Sequence, residues 1–374
     1  MKVVVAMDSF KGSLRAPIAC EAVRRGILEA LPGAEVALKP MADGGEGTAE
    51  TVIAAVGGEW VGVGAMGPLP DMRVEAGYAR IPTGALVEMA AASGIELLAA
   101  PDRNPLRTTT FGTGQLLAAA AARGARHLWL AIGGSATLDG GTGAACAMGW
   151  RFLDERGEPI GLGGGQLERI DRIERPETGQ GALPPVTVLC DVDNPLLGER
   201  GAARVFGPQK GANPEMVELL ERGLSRLADV IERDLDKDVR HVAGAGAAGG
   251  LGAGALAFFD ADLVSGVEAM IEATGLAEAL AGADWVVTGE GRFDEQSLYG
   301  KVVAGVLAAA GRATVPVAVI AGSSTISRDR ASELGLGAIE VSTPAGSSFR
   351  DIAHRAEELL TAAARRLADT AFRS

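Results

Sequence analysis

Apolar and polar positions along this chain follow the rhythm of strand, loop and helix. Val3 to Met7 is a continuous apolar run, the pattern of a buried strand, and it ends at Asp8-Ser9-Phe10-Lys11-Gly12-Ser13. Pro17 opens a helix to about Leu31, with Ile18, Ala22, Ile27 and Leu31 as inward positions and Pro32-Gly33 as its stop. Glu35 to Leu38 is a second short strand that empties into Met41-Ala42-Asp43-Gly44-Gly45-Glu46-Gly47-Thr48, with helical sequence over 49–56. From Glu59 to Met89 the character changes. Trp60 to Val63, Val74 to Ile81 and Ala85 to Met89 follow one another without helices, which predicts a mixed or antiparallel sheet.

Beyond these, the pattern predicts a helix over Gly114 to Arg123, a strand over His127 to Ile132 and a helix over Gly143 to Trp150. Residues 154–185, rich in Gly, Pro and charge, read as a long irregular excursion. Val186, Val188 and Leu189 form the next strand, and Pro214 to Arg233 a helix. A glycine-rich run at 244–254 and a helix over Val267 to Leu280 follow. Trp285 to Val287, Val317 to Ile320 and Ala338 to Val341 then return to parallel-type strands, each followed by helical sequence. The α/β rhythm of the start thus resumes near residue 284. It predicts a discontinuous flavodoxin/Rossmann-like parallel-sheet domain (1–63 plus 284–374) with a mixed-sheet α/β domain (64–283) inserted. The cleft between two such domains is the expected ligand site.

Composition narrows the classes. The 374 residues suffice for about two domains, and 47% hydrophobic against 22% charged residues supports a full core. Aromatics are only 4%, so the core must be built from Ala, Val, Leu and Ile. The 53 glycines, about twice the usual share, show no period and gather at loop positions. A net charge of −13, with no basic patch, argues against nucleic acid as partner. An acidic chain that binds phosphate must concentrate its positive groups and enlist Mg²⁺. Cys20, Cys146 and Cys190 are far apart and odd in number, which reads as reduced thiols of a cytoplasmic protein. No apolar run reaches membrane-spanning length, so no membrane partner is expected.

Five strand-end loops carry candidate chemistry. Asp8-Ser9-Phe10-Lys11 offers an acid and a cation. Asp43 stands among glycines whose amides, with the following helix start, suit an anion, while its carboxylate suits Mg²⁺. Gly133-Gly134-Ser135-Ala136-Thr137-Leu138-Asp139 has small residues and hydroxyls fit for phosphate. Cys190-Asp191-Val192-Asp193-Asn194-Pro195 sets carboxylates at a strand end, and Asn194-Pro195 stops that strand, which favours Asp191 over Asp193. Lys210 follows on a glycine-bracketed turn. Glu290, Arg292 and Asp294, with Gln296, Ser297 and Lys301 after them, gather acid, guanidinium and ammonium within twelve residues.

Gly244-Ala-Gly246-Ala-Ala-Gly249 matches the dinucleotide fingerprint but lacks its strand-helix setting, which leaves a nucleotide-phosphate loop as its use. Gly62 to Gly67 matches too, yet runs into Pro68 and Pro70 and reads as a turn. No G-x-x-x-x-G-K-[ST] occurs. His127, His241 and His354 are isolated, against a histidine-metal site or a Ser-His-Asp hydrolase. Asp234-Leu-Asp236-Lys-Asp238 lacks the glycine of a calcium loop and reads as a solvated helix end.

Taken together, DSFKGSL (8–14), PMADGGEGT (40–48), GGSATLDGG (133–141), CDVDNPLLGERGAARVFGPQKGA (190–212), GAGAAGGLG (244–252) and TGEGRFDEQSLYGK (288–301) resemble the bacterial glycerate kinase family that is unrelated to P-loop enzymes. The family usually carries asparagine where Leu138 stands. The resemblance implies phosphorylation of D-glycerate by ATP and Mg²⁺, commonly to 2-phosphoglycerate with 3-phosphoglycerate as the other regiochemistry, in organic-acid catabolism. On that basis Asp191 is expected to accept the glycerate hydroxyl proton or hold Mg²⁺, with Asp43 as its rival in both roles. Lys11, Arg292 and Lys210 would divide the substrate carboxylate and the transferring phosphate among them. Asp8, Ser9, Asp43, Glu290, Asp294, Gln296 and Ser297 would line the substrate, and the Gly133-Gly134-Ser135 and Gly244, Gly246, Gly249, Gly250 backbones the nucleotide phosphates. Two other classes stand beside it: a nicotinamide oxidoreductase resting on Gly244–Gly249, and a two-domain small-molecule binding protein. Homo-oligomerisation is left open.

Overall fold

The computed structural model describes residues 1–10, 12–45, 47–177, 183–298, 301–344, 346–347 and 352–372. They fall into two compact units, Met1–Asp43 with Glu50–Gly57 and Val267–Ser374, and Gly44–Ala49 with Gly58–Gly266. These limits differ from 63/64 and 283/284 for a local reason at each end. Glu59–Met66 is hydrogen-bonded along its whole length to Arg73–Ile81 and so belongs to the second unit's sheet. Val267 packs on Gly305, which draws the helix Gly266–Thr274 to the first unit.

The first unit has a five-stranded sheet in the order Leu336–Val341, Val317–Ala321, Trp285–Gly289, Lys2–Met7, Glu35–Leu38. Every pairing in it is parallel. Counted along the unit's own chain this is the flavodoxin-like order, which reverses direction between its first and third strands. Those strands, Lys2–Met7 and Trp285–Gly289, pair from Val3 with Trp285 to Met7 with Gly289. Val3, Val4, Val5, Val286 and Val287 are fully buried, as expected of strands covered on both faces. The helices Ala16–Ala30 and Ala356–Ala371 share a core with them through Val23, Ile27, Leu360 and Leu367. Ile18, expected inward, is 41% exposed. Ala19, Val23, Ile27 and Ala30 form the inward stripe, and Ile18 lies about 100° round the helix from Ala19.

In the second unit six strands run Asp262–Val264, Val186–Leu189, Leu128–Ala131, Gly84–Glu88, Arg73–Ile81, Glu59–Met66. The first four are parallel and the last two join them antiparallel, which gives the mixed sheet. Alternate residues Val87, Leu128, Leu130, Val186 and Val188 meet Leu116, Leu220, Leu224 and Leu227 in one apolar core. Pro214–Leu235 is the longest contributor. Asn213 caps it by accepting from the Met216 amide at 2.8 Å, and Val217, Leu220, Leu224, Leu227 and Ile231 form its inward stripe. The excursion at 154–185 includes a strand, Arg172–Glu174, paired with Arg151–Leu153. No helix among the described residues is long and apolar enough to cross a membrane. All three cysteines are free, and burial pushes the Cys20 and Cys146 thiols up to about 12.

The loop after Leu128–Ala131 and the start of the helix Ala247–Phe258 interlock. Ala248, Gly249 and Gly250 are left-handed, at φ 52, 70 and 88°. A Cβ on Gly249 would lie 1.9 Å from the Thr137 carbonyl oxygen. Gly249→Ala is therefore expected to lower stability by about 3 kcal/mol or more, read as a fall in the thermal midpoint. Gly335→Ala, left-handed at φ 73° but facing open space, should lose only about 1–2 kcal/mol.

Candidate active site

In the first unit the polar residues collect where the sheet order reverses. The Asp8 amide still pairs with the Gly289 carbonyl at 2.9 Å, so Asp8 and Glu290 leave adjacent strands at the same level. Asp8 Oδ1 accepts from the Ser9 amide at 2.6 Å, which turns the chain off the sheet. The Met41 amide donates to the Met7 carbonyl at 2.9 Å and carries the neighbouring strand's path on towards Asp43. Glu290 lies half-buried in this group. Burial holds its carboxyl above the usual carboxylate range and the charges of Asp294 and Asp43 add to that, against the pull of Ser297 and Lys301. Glu290 Oε1 is buried without a hydrogen-bond partner among the described residues. Arg292 pairs with Asp294 at 3.1 Å but is 70% exposed, a weak pair that a ligand anion can replace. Ser297, fully buried, accepts from the Asp294 amide at 3.1 Å and shapes this turn. Lys11 and the Gln296 side chain lie outside the described residues.

The second unit brings four strand-end segments together. Gly133 follows Leu128–Ala131, and its amide donates to the Gly44 carbonyl at 3.2 Å. A Cβ on Gly133 would come within 2.7 Å of Gly45 Cα, so only glycine permits this approach. Asp191 follows the adjacent strand Val186–Leu189, and Asp191 Oδ1 accepts from Ser265 Oγ (2.8 Å) and the Gly266 amide (2.9 Å), which fix its rotation. Ser265 and Gly266 themselves follow the strand Asp262–Val264. The glycine run meets the same loops: the Gly246 amide donates to the Asn194 carbonyl at 2.9 Å, and the Gly140 amide to the Gly249 carbonyl at 3.1 Å. Gly244 lies against the Cys190 thiol. Gly246, Gly249 and Gly250 thus serve close packing in addition to whatever their backbone binds.

The turn Gly133–Ser135 is the most open donor group. Gly134 is left-handed at φ 72°. The Gly134 carbonyl accepts from the Ile95 amide and the Ala136 amide donates to the Ser93 carbonyl, which pins the turn on both sides. Among the described residues no acceptor takes the Gly134 or Ser135 amide. Successive amides around a left-handed residue make an anion-binding concavity.

Asp139 and Lys210 lie beneath this turn. Asp139 is fully buried, and Asp139 Oδ2 accepts from the Thr110 amide (2.7 Å), Thr110 Oγ1 (3.0 Å), Thr109 Oγ1 (3.2 Å) and the Gly143 amide (3.3 Å). Asp139 Oδ1 accepts from the Gly141 amide at 3.2 Å. Burial raises its carboxyl and these donors hold it down. Lys210 is 3% exposed, and its ammonium donates to Ser135 Oγ at 2.6 Å and the Thr137 carbonyl at 2.7 Å. Burial lowers the Lys210 ammonium from 10.5 to about 7, with Asp139 opposing. Leu138 is fully buried in the apolar core, so no polar side chain is needed there.

Asp193 pairs with Arg200 at 2.8 Å on the surface, apart from these groups. Four contributors were not singled out in the sequence: Ser265 and Gly266, because a three-residue strand before them gives too short a pattern, and Thr109 and Thr110, whose only signal is a run of three threonines before a helix.

A flavodoxin-like sheet and a mixed α/β unit, each with acids at its strand ends, place the chain in the class of two-unit α/β proteins. The model of the glycerate kinase family matches residues 3–371. A glycerate kinase of Halalkalibacterium halodurans is 46% identical over 371 residues, covering 98% of this chain and 97% of the relative. A glycerate 2-kinase of Escherichia coli is 45% identical over 333 residues, covering 87% and 86%. A crystal structure from Salmonella typhimurium LT2, of a protein assigned as glycerate kinase 2, superposes with a TM-score of 0.87 at 43% identity, over 99% of this chain and 98% of that one. The chain belongs to the glycerate kinase family, and its chemistry is phosphoryl transfer to an alcohol.

Two variants test the buried carboxyls. Because the Glu290 carboxyl is held above its ordinary range, its contribution to stability is present below the ordinary carboxylate pKa and is lost as pH rises through the raised value. Glu290→Gln removes that loss, so its thermal midpoint should gain on the parent's between pH 4.5 and 8; parallel curves would exclude this. Asp139→Asn replaces one acceptor oxygen by an NH₂ that, even at the less occupied Oδ1 position, faces the Gly141 amide, and it is expected to lose about 2–4 kcal/mol in denaturant unfolding.

Proposed function

We propose that the protein transfers the γ-phosphoryl group of ATP to the 2-hydroxyl of D-glycerate, giving 2-phosphoglycerate and ADP. One observation carries this reading: an anion-binding turn, Gly133–Ser135, and a rotationally fixed carboxylate, Asp191, stand at the ends of adjacent parallel strands paired from Leu128–Val186 to Ala131–Leu189. Phosphoryl transfer asks for little covalent chemistry from a protein and much positioning and charge neutralisation, which is what such a pair supplies. The substrate hydroxyl oxygen attacks the γ-phosphorus, the bond to the bridging oxygen breaks, and Asp191 accepts the hydroxyl proton. The Gly134 and Ser135 amides hold nucleotide phosphate oxygens, and the Gly244–Gly250 backbone supports that loop. Arg292 and Lys11 grip the substrate carboxylate and the transferring phosphate, and Asp8, Ser9, Asp43, Glu290, Asp294, Gln296 and Ser297 line the substrate. The 2-position is supported by the relative named glycerate 2-kinase.

Among the described residues no group of three or more His, Cys, Asp or Glu could cage a cation. Mg²⁺ is commonly held by one or two carboxylates together with nucleotide phosphates. Asp191 or Asp43 would be the carboxylate that holds it, and the ion would supply neutralisation of phosphate charge. The protein is assigned to the cytoplasm on its reduced thiols and composition.

Phosphorus NMR of the product from ATP and D-glycerate is expected to give the 2-phosphate; the 3-phosphate would overturn the regiochemistry. Asp191→Asn should lower kcat by about 10²–10⁴-fold with the fold retained. Near-native turnover with unchanged Mg²⁺ dependence would remove Asp191 from both roles. ADP release without glycerate dependence, or an NADH spectral change, would favour another class.

A further inference from the structure

We propose that Lys210 is a positioning residue for nucleotide binding: from within the core it makes the Ser135 hydroxyl an obligate donor to a phosphate oxygen. The proposal rests on the reading of Gly133–Ser135 as the nucleotide-phosphate turn and adds how that turn is held and polarised.

The argument starts from donor counting. A lysine ammonium has three donors and no acceptor. In the ammonium form, its 2.6 Å contact with Ser135 Oγ obliges that oxygen to accept, and the hydroxyl proton points to some other acceptor. Among the described residues none takes it. The second ammonium bond, to the Thr137 carbonyl at 2.7 Å, pins the chain two residues further on. The turn is thus held at Ser135 and Thr137 by one buried group, while the Gly134 and Ser135 amides and the Ser135 hydroxyl remain as three donors for one anion. Among the described residues no carboxylate forms an ion pair with Lys210; the nearby buried acid, Asp139, has its oxygens engaged by threonines and backbone amides. The Asp139 carboxyl favours the ammonium form of Lys210 against burial, and in that form a positive charge stands behind the turn, in a chain whose net charge of −13 otherwise repels phosphate. A buried lysine of this kind reaches a phosphate through Ser135 and not by direct contact, which replaces the expectation that Lys210 grips substrate itself.

The test is a double-mutant cycle on the full chain, with affinity for the non-hydrolysable analogue AMP-PNP measured by calorimetry and KM for ATP and kcat measured in parallel. Loss of a charge-assisted hydrogen bond predicts about 10–100-fold weaker nucleotide binding in Lys210→Met and about 10-fold in Ser135→Ala. The double variant should bind no more weakly than Lys210→Met alone, and Ser135→Thr, which keeps the hydroxyl, should stay near the parent. KM for glycerate should be little changed. If the two losses multiply in the double variant, Lys210 does not act through Ser135 and the proposal falls while the turn remains a phosphate site. If Ser135→Ala leaves nucleotide affinity unchanged, the phosphate-turn reading falls and the proposal with it. Should Lys210→Met not fold, Lys210→Gln serves: its amide can accept as well as donate, so the serine proton loses its fixed direction and the same non-additive loss is expected.

Discussion

The second unit's site depends on one buried carboxylate. Asp139 would be costly in an apolar core unless its oxygens were engaged, and threonine hydroxyls and backbone amides from two segments converge on it. By doing so it ties Thr109 and Thr110 to the start of the helix Thr142–Ala147. Thr108 adds a bond from its hydroxyl to the Ala136 carbonyl at 2.8 Å. With these anchors the six residues from Gly133 to Leu138 have few alternatives, and the left-handed Gly134 can be maintained against solvent. Thus the rigidity of a donor turn at the surface is set by a carboxyl group that never reaches the surface.

What was legible in the sequence follows from how local each cause is. Valine runs at 3–5 and 286–287 mark covered parallel strands because both faces must be apolar, and such runs need no tertiary context. The stop at Asn194-Pro195 likewise separated Asp191 from Asp193 by a local rule, and the surface pair of Asp193 with Arg200 agrees with it. Ile18 went the other way because several small and apolar residues on its helix offered more than one stripe. The burial of Lys210 and the packing of Gly249 against Thr137 were not readable in the sequence. A lysine on a Gly-Pro-Gln-Lys-Gly turn looks solvated until distant segments close over it, and the glycines at 246 and 249 look like a nucleotide fingerprint until Pro195 and Thr137 are found against them.

Charge placement explains how so acidic a chain can handle phosphate. Most surface arginines are engaged by neighbouring acids; Arg240 alone meets Asp229, Glu232 and Asp238. Exposed pairs of this kind stabilise little, but they also remove basic patches that would attract polyanions indiscriminately. On the proposed reading, the attraction for phosphate comes from the oriented Gly134 and Ser135 amides and the Ser135 hydroxyl held by Lys210, with Arg292 and Lys11 as further cations, and low dielectric makes each buried donor count for more.

The two units reach strand-end chemistry by different routes. In the first, the sheet order reverses between Lys2–Met7 and Trp285–Gly289, so the chain leaves those strands to opposite faces and a crevice opens of itself beside Asp8 and Glu290. In the second, each strand lies beside its predecessor in the chain, so no reversal opens a crevice. Glycines let the loops at that edge touch backbone to backbone, and the Asp139 and Lys210 bonds hold them in place. Dense glycine in this chain is therefore a consequence of the second unit's topology: close contact without side chains is what leaves the Gly134 and Ser135 amides uncovered.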